Sequence, residues 1–195
     1  MILPIISYGA SVLRKECVEF QEGESIDELV ANMFETMYAA SGVGLAAPQI
    51  GISKRIFTVD ASPFAEPEER EEMDPDLIEL KNFKKVFVNP IIESESGKPW
   101  SFSEGCLSIP GIREEVDRKP VIKISYYDEK WNFFEETFEG ISARIIQHEY
   151  DHIEGTLFTD HLTPLKRRLM KRKLDEISKG KVDVNYKMKF LNPKK

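Results

Sequence analysis

The chain has 195 residues, 27 basic and 34 acidic side chains and a formal net charge of −7, a balance that disfavours coating nucleic acid over the whole surface. Hydrophobic residues make up 41% and aromatic residues 10%, which excludes a disordered chain and predicts a single domain over residues 1–195 with a real core. Two cysteines, Cys17 and Cys106, cannot build a disulfide framework and fit a reducing compartment. No apolar run approaches the roughly 18 residues of a membrane span, and the start Met1–Ile6 lacks the basic region of a signal peptide. The expected address is the cytoplasm, with no membrane and no DNA partner.

In chain order, the first helix is expected to begin near Ser25, where Ser25 and Glu28 form a capping box and Asp27 favours the positive end of the dipole. Ile26, Leu29, Val30, Met33, Phe34, Met37 and Tyr38 recur at helical spacing as a core-facing stripe, and Gly42 reads as the stop. Gly42–Gly51 is small, apolar and broken by glycine and proline, which predicts an irregular segment pressed close to a neighbour. Arg55–Asp60 alternates as a strand. Residues 62–79 carry eight acidic residues against Arg70, with three prolines, and read as a solvated acidic loop insertion. Lys85–Ile92 is strand-like, and Val121–Asp128 pairs with Trp131–Phe138 across the turn Asp128-Glu129-Lys130. A helix is expected from about Ile141 to Ile153, stopping at Gly155. A last helix has Thr163 as N-cap and Pro164 at its first position, and runs to about Ser178. The pattern predicts an α+β fold: mostly antiparallel sheets packed around a central helix, with an N-terminal and a C-terminal helix.

The strongest chemical signal is His148-Glu149-Tyr150-Asp151-His152. Residues four apart on a helix leave the same face one turn apart, so both imidazoles can bind one divalent ion. With three histidines in the chain, composition predicts only about 0.006 occurrences of H-E-x-x-H. Ile141 and Ile145 continue the histidine face and turn it inward, where an unpaired histidine pair would be costly. An open catalytic site needs a third protein ligand. His161 lies beyond Gly155 and beside Asp160, and reads as a surface or capping residue. Acidic third ligands are compatible with spacing alone, but Cys106, between a glycine and a short apolar run, is the better candidate. Cys17 reads as a small buried hydrophobe. Asp151 could orient a ligand or brace the fold through an ion pair.

Three segments in this order, G-V-G-L-A-A-P-Q (Gly42–Gln49), E-G-C-L-S (Glu104–Ser108) and H-E-Y-D-H (His148–His152), resemble the peptide deformylase family, whose members remove the N-formyl group from the initiator methionine of nascent polypeptides. The similarity runs from the first helix through the terminal helix, and no motif position departs from the family pattern. Residues 62–79 resemble an extension of a usually shorter loop. The resemblance implies that Cys106, His148 and His152 hold the metal, that Glu149 is the acid/base, and that Gln49 and the Leu107 N–H face the oxyanion. Gly44 would offer main-chain hydrogen bonds to a substrate that adds like a strand. Gly42, Glu104, Gly105 and Arg113 join the expected substrate-binding set, and Val43, Phe102, Ile141 and Ile145 would line the methionine pocket or serve as ordinary core. Arg113 would lie near the substrate backbone or be an exposed strand charge. Cys/His₂ ligation by itself suits Zn(II); the family implies Fe(II) in the cell, with Ni(II), Co(II) or Zn(II) as substitutes.

Residues 163–195 hold 12 basic and 3 acidic residues. Lys166, Arg167, Arg168, Lys171, Arg172 and Lys173 crowd the helix, with Leu165, Leu169 and Ile177 expected on its other side. This basic helix and tail is a solvated face or, as similar enzymes suggest, a contact to the ribosome. Two rival readings stand beside the deformylase: a zinc peptidase of the H-E-x-x-H type, and a non-catalytic, ribosome-associated module with a structural metal.

Overall fold

A computed structural model describes residues 1–65 and 79–191. Most of the acidic insertion therefore falls outside the described residues. In chain order the elements are β1 (Ile5–Ile6), α1 (Asp27–Ala39), β2 (Gly44–Ala46), β3 (Ile56–Asp60), β4 (Lys84–Ser96), β5 (Trp100–Cys106), β6 (Ile109–Arg118), β7 (Val121–Tyr127), β8 (Phe133–Glu139), α2 (Gly140–Ile153), α3 (Pro164–Ser178) and β9 (Met188–Lys189). Five strands form one antiparallel sheet in the order β2-β3-β4-β7-β8. β5 and β6 make a separate antiparallel pair, and β1 pairs with β9 in parallel. The expected α+β class holds.

The period of two along each strand sends alternate side chains to opposite faces of the sheet. Val86 and Val88 meet Met33 and Met37 of α1, whereas Phe87 between them meets Phe57, Ala143 and Ile146 on the α2 side. Every residue of β3 is buried, because both faces of the sheet are covered. α2 is buried along its length from Ser142 to Glu149, which makes it the central helix and sets the histidine face inside the molecule.

Several expectations are corrected. α1 begins at Asp27 with Ile26 at the N-cap and no side-chain cap bond. Ile26 is 3% exposed, packed with Val30 and Met33, so burial of this residue, not the Ser25–Glu28 box, fixes the start. Gly42 is not the left-handed stop either, since Ser41 takes the positive φ of 53°. Gly42 is packed closely instead: an ideal Cβ there would lie 2.8 Å from Leu107 Cδ1, so a side chain at this position would push that methyl aside. On α3, Thr163 accepts from the Lys166 N–H as expected, but Leu165 and Leu169 are 68% and 74% exposed. The buried stripe is Met170, Leu174 and Ile177, which packs with Ile109, Ile112 and Val116 of β6. β5 and β6 add to the strands expected in chain order, and they supply the strand setting that is one expected reading of Arg113. Among the described residues no helix is long and apolar enough to cross a membrane.

Candidate metal centre and active site

Helix α2 sets the His148 and His152 rings one turn apart, with centroids 5.1 Å from each other. The β5–β6 register shifts between Gly105 and Cys106, an irregularity that turns the strand end. Cys106 Sγ lies 3.3 Å from His152 Nε2. Donor atoms of Cys106, His148 and His152 all fall within 4.8 Å of one another. A tetrahedral ion held by one sulfur and two imidazole nitrogens separates its donors by about 3.3–3.6 Å, so these three residues fit one cation. His161 is not among them. Its Nε2 lies 2.7 Å from Asp151 Oδ2, and Asp151 also pairs with Arg118 Nη1 at 2.8 Å, so Asp151 braces the fold through ion pairs.

Charges around the cluster are matched. His148 Nδ1 donates to Glu104 Oε2 at 2.9 Å, which leaves Nε2 as the ring's free ligand atom. The Glu104 carboxylate also accepts from Arg118 Nε at 2.7 Å, Arg118 Nη2 at 3.0 Å and Arg144 Nη1 at 3.0 Å. Those contacts use the roughly four lone-pair sites of a carboxylate. Glu104, expected among substrate-binding residues, borders the cavity but spends its oxygens on orienting His148 and the two guanidiniums. Burial alone would raise its pKa, yet the bonds from His148 and Arg118 hold it well below the usual carboxylate range. Burial likewise pushes against the Cys106 thiolate, and the imidazoles of His152 and His148 outweigh it, holding the thiol at about 5. Cysteine binds metal as the thiolate, so this sulfur is ready to ligate at neutral pH. Cys17 sits apart in the core, where burial pushes its thiol up to about 11.

A cavity of about 780 Å³ opens beside the cluster. Glu149 faces it, 4% exposed, and its Oε2 has no hydrogen-bond partner among the described residues. Burial pushes this carboxyl up to about 7 against the pull of His148 and His152. Gly44 makes room for it: an ideal Cβ there would lie 2.7 Å from Glu149 Cδ. Gln49 Oε1 accepts the Ala46 N–H at 2.8 Å, which turns its amide nitrogen inward, 3.4 Å from Cys106 Sγ. Leu107 follows Cys106 on the cavity wall, and Gly42, Val43, Phe102, Gly105, Arg113 and Ile145 also border the space. Arg113 lies over Gly105 and donates to Ser103 O at 3.3 Å. Ile141 does not border the cavity; half-buried at the start of α2, it packs against the core beneath the sheet.

Phe64, Arg144 and Tyr186 also line the cavity, and none was singled out from sequence. Phe64 packs on Phe102 at 6.5 Å between ring centroids. Arg144 lies over the Trp100 ring, 4.6 Å from its centroid. The Tyr186 hydroxyl donates to Leu107 O at 2.8 Å, and burial raises it to about 12, so it stays protonated. None carries a local sequence signal, since each meets the site through contacts distant along the chain.

The model of the polypeptide deformylase family matches residues 2–168. Over 196 aligned positions the chain is 55% identical to a peptide deformylase of Christiangramia forsetii, covering 100% of this chain and 99% of that protein. It is 52% identical to one of Flavobacterium psychrophilum, with 100% of each covered. A crystal structure of a peptide deformylase from Legionella pneumophila superposes with a TM-score of 0.76 at 38% identity, covering 93% of this chain and 98% of that one. The corresponding structure from Thermotoga maritima gives 0.71 at 34% identity, with 84% and 99% covered.

Proposed function

The chain belongs to the polypeptide deformylase family and is a hydrolase, and from that premise we propose that it removes the N-formyl group from the initiator methionine of nascent polypeptides. One observation carries the mechanism: a Cys106, His148 and His152 donor set beside a buried Glu149 carboxylate whose Oε2 is unpartnered among the described residues. Residues 1–195 act as one catalytic unit, since the large sheet, the β5–β6 pair and α2 all contribute to this site.

Cys106, His148 and His152 would hold a divalent ion, whose chemistry is Lewis acidity that lowers the pKa of a water from about 15.7 toward 7. Glu149 takes the proton of the attacking water and hands it to the departing amine nitrogen. Water adds to the formyl carbon, the C–N bond breaks, and formate and a free methionine amine leave. The Gln49 amide and the Leu107 N–H donate to the oxygen as charge develops on it. β2 is an edge strand of its sheet, and Gly44 borders the cavity, which supports substrate addition as an extended strand. Val43, Phe102 and Ile145 form the apolar surface for the methionine side chain, with Gly42 and Gly44 narrowing the formyl end. Arg113 lies where a peptide backbone would pass.

The ligand set suits Zn(II) chemically. We assign Fe(II) as the cellular metal on the family resemblance, with Ni(II), Co(II) or Zn(II) as substitutes. The exposed Arg167, Arg168, Lys171 and Lys173 of α3 support a ribosome contact, which charge reversal of these residues would weaken in low-salt co-sedimentation. The test of the activity is formate release from a formyl-Met peptide by anaerobically purified, metal-analysed protein. Glu149→Ala retains metal and loses at least about 10²-fold in turnover; near wild-type turnover would overturn the assignment. Cleavage of internal peptide bonds without formate release would favour the peptidase reading.

A further inference from the structure

The chain does not end at α3. Gly180 turns it with a φ of +72°, and the Lys181 N–H closes the helix end on Glu176 O at 2.9 Å. Further on, β9 pairs with β1, where Ile5 N–H donates to Lys187 O at 2.9 Å and Ser7 N–H to Lys189 O at 3.0 Å. The stretch between these anchors is held against the cavity. Val182 packs on the cluster under α3, while Asp183, Val184, Asn185 and Tyr186 border the open space.

We propose that residues 183–186 are a wall of the peptide-binding groove, in which Tyr186 positions the Leu107 turn and Asp183 reads the charge of substrate residues that follow the methionine. This rests on the deformylase reading and deepens it. Leu107 has two ends with different duties: its N–H faces the reacting oxygen in that reading, and its carbonyl is held by the Tyr186 hydroxyl at 2.8 Å. A hydroxyl on the carbonyl restrains the turn that carries both Leu107 and Cys106. The volume of about 780 Å³ lies toward the upper end of small-ligand sites, about 300–1,000 Å³, which leaves room for residues beyond a formylmethionyl end. Asp183 is exposed, and no ion pair engages it among the described residues, so its carboxylate is available to a cationic side chain.

The test uses the metal-loaded full chain and formyl-Met peptides that differ by Lys or Glu at each of the three positions after methionine. The ratio of kcat/KM for Lys over Glu is measured in wild type, Asp183→Asn and Asp183→Lys. Any bias from Arg113 is common to all three proteins, so the change in ratio isolates Asp183. At one or more positions the ratio should fall about 2- to 5-fold in Asp183→Asn, the range of an exposed ion pair, and further in Asp183→Lys. Raised salt should shrink the difference. Tyr186→Phe should lower kcat about 3- to 10-fold with KM changed less than about 2-fold, a split that general destabilisation does not produce. Ratios unchanged in Asp183→Lys, or an unchanged kcat in Tyr186→Phe, would overturn this assignment while leaving the deformylase reading intact. A wild type that releases formate from none of the peptides would overturn both.

Discussion

Glu104→Gln is the most informative single perturbation of the support around the proposed metal ligands. The carboxylate accepts four N–H donors, from His148, Arg144 and two from Arg118. An amide in its place carries no charge and turns an NH₂ toward donors. Arg118 then keeps Asp151 as its carboxylate partner, while Arg144 loses its one ion pair among the described residues. Removing one member of a buried ion pair costs about 3–5 kcal/mol. Arg144 keeps the carbonyls of Val116 and Trp100 as acceptors, which points to the lower end, about 3 kcal/mol. A typical domain with about 5–15 kcal/mol of stability still folds after that loss. Loss of the acceptor on His148 Nδ1 should also weaken metal binding about 10- to 100-fold. Urea denaturation reads the first effect and chelator competition the second. The Glu104 carboxyl is held below its unfolded value, so its contribution is fully present above about pH 4.3 and is lost as pH falls from there toward the folded value. The gap between wild type and variant should therefore be constant at neutral pH and close in acid. A variant with metal affinity within about 3-fold of wild type and stability within about 1 kcal/mol would refute the reasoning.

Gln49→Glu keeps an acceptor for the Ala46 N–H but replaces the inward donor with an anion, so turnover should fall about 10²-fold with the fold unchanged by circular dichroism. Gly44→Ala puts a methyl 2.7 Å from Glu149 Cδ; it should cost about 1–3 kcal/mol, and kcat should drop at least about 10-fold as Glu149 shifts. In chelator-treated protein, iodoacetamide should modify Cys106 while Cys17, its thiol pushed up to about 11 by burial, reacts only in denaturant. Added metal should protect Cys106, and mass spectrometry of the peptides reads both.

The helices were legible where punctuation and periodicity agreed. Thr163-Pro164 and Gly155 mark their boundaries within a residue, because capping and left-handed turns are local chemistry. The β7–β8 pair was legible for the same reason, its apolar alternation meeting a polar turn. β5 and β6 were not, because Arg113, Glu114, Glu115, Asp117 and Arg118 interrupt their apolar residues and two of the charges on this pair, Glu104 and Arg118, point inward. Local hydropathy reads such a segment as surface; only the partner across the hairpin makes its burial tolerable. The Leu165 and Leu169 error has a related cause. Two apolar stripes are possible on α3, and which one is buried depends on the position of β6.

Within the site, His148, Glu149 and His152 could be read from spacing, whereas the supports could not: Arg118 lies 30 residues away in sequence from His148, Tyr186 reaches Leu107 from near the C-terminal strand, and Arg144, one turn before His148 on α2, acts through Glu104 of β5. Asp151 illustrates the difference. Its helix position next to His152 gave two readings, and the choice depended on Arg118 of β6 lying 2.8 Å away. With that contact known, the H-E-Y-D-H segment has two separate links to the β5–β6 pair: Asp151 to Arg118, and His148 to Glu104. Cys106 lies on the same pair, at the end of β5, and meets His152 at 3.3 Å. Two buried charge links therefore fix α2 against the strand pair on which the sulfur sits. Because each link is satisfied on both sides, the approach of sulfur to imidazole is set by the fold in advance of any ligand, which is the preorganisation that a metal centre of this kind requires.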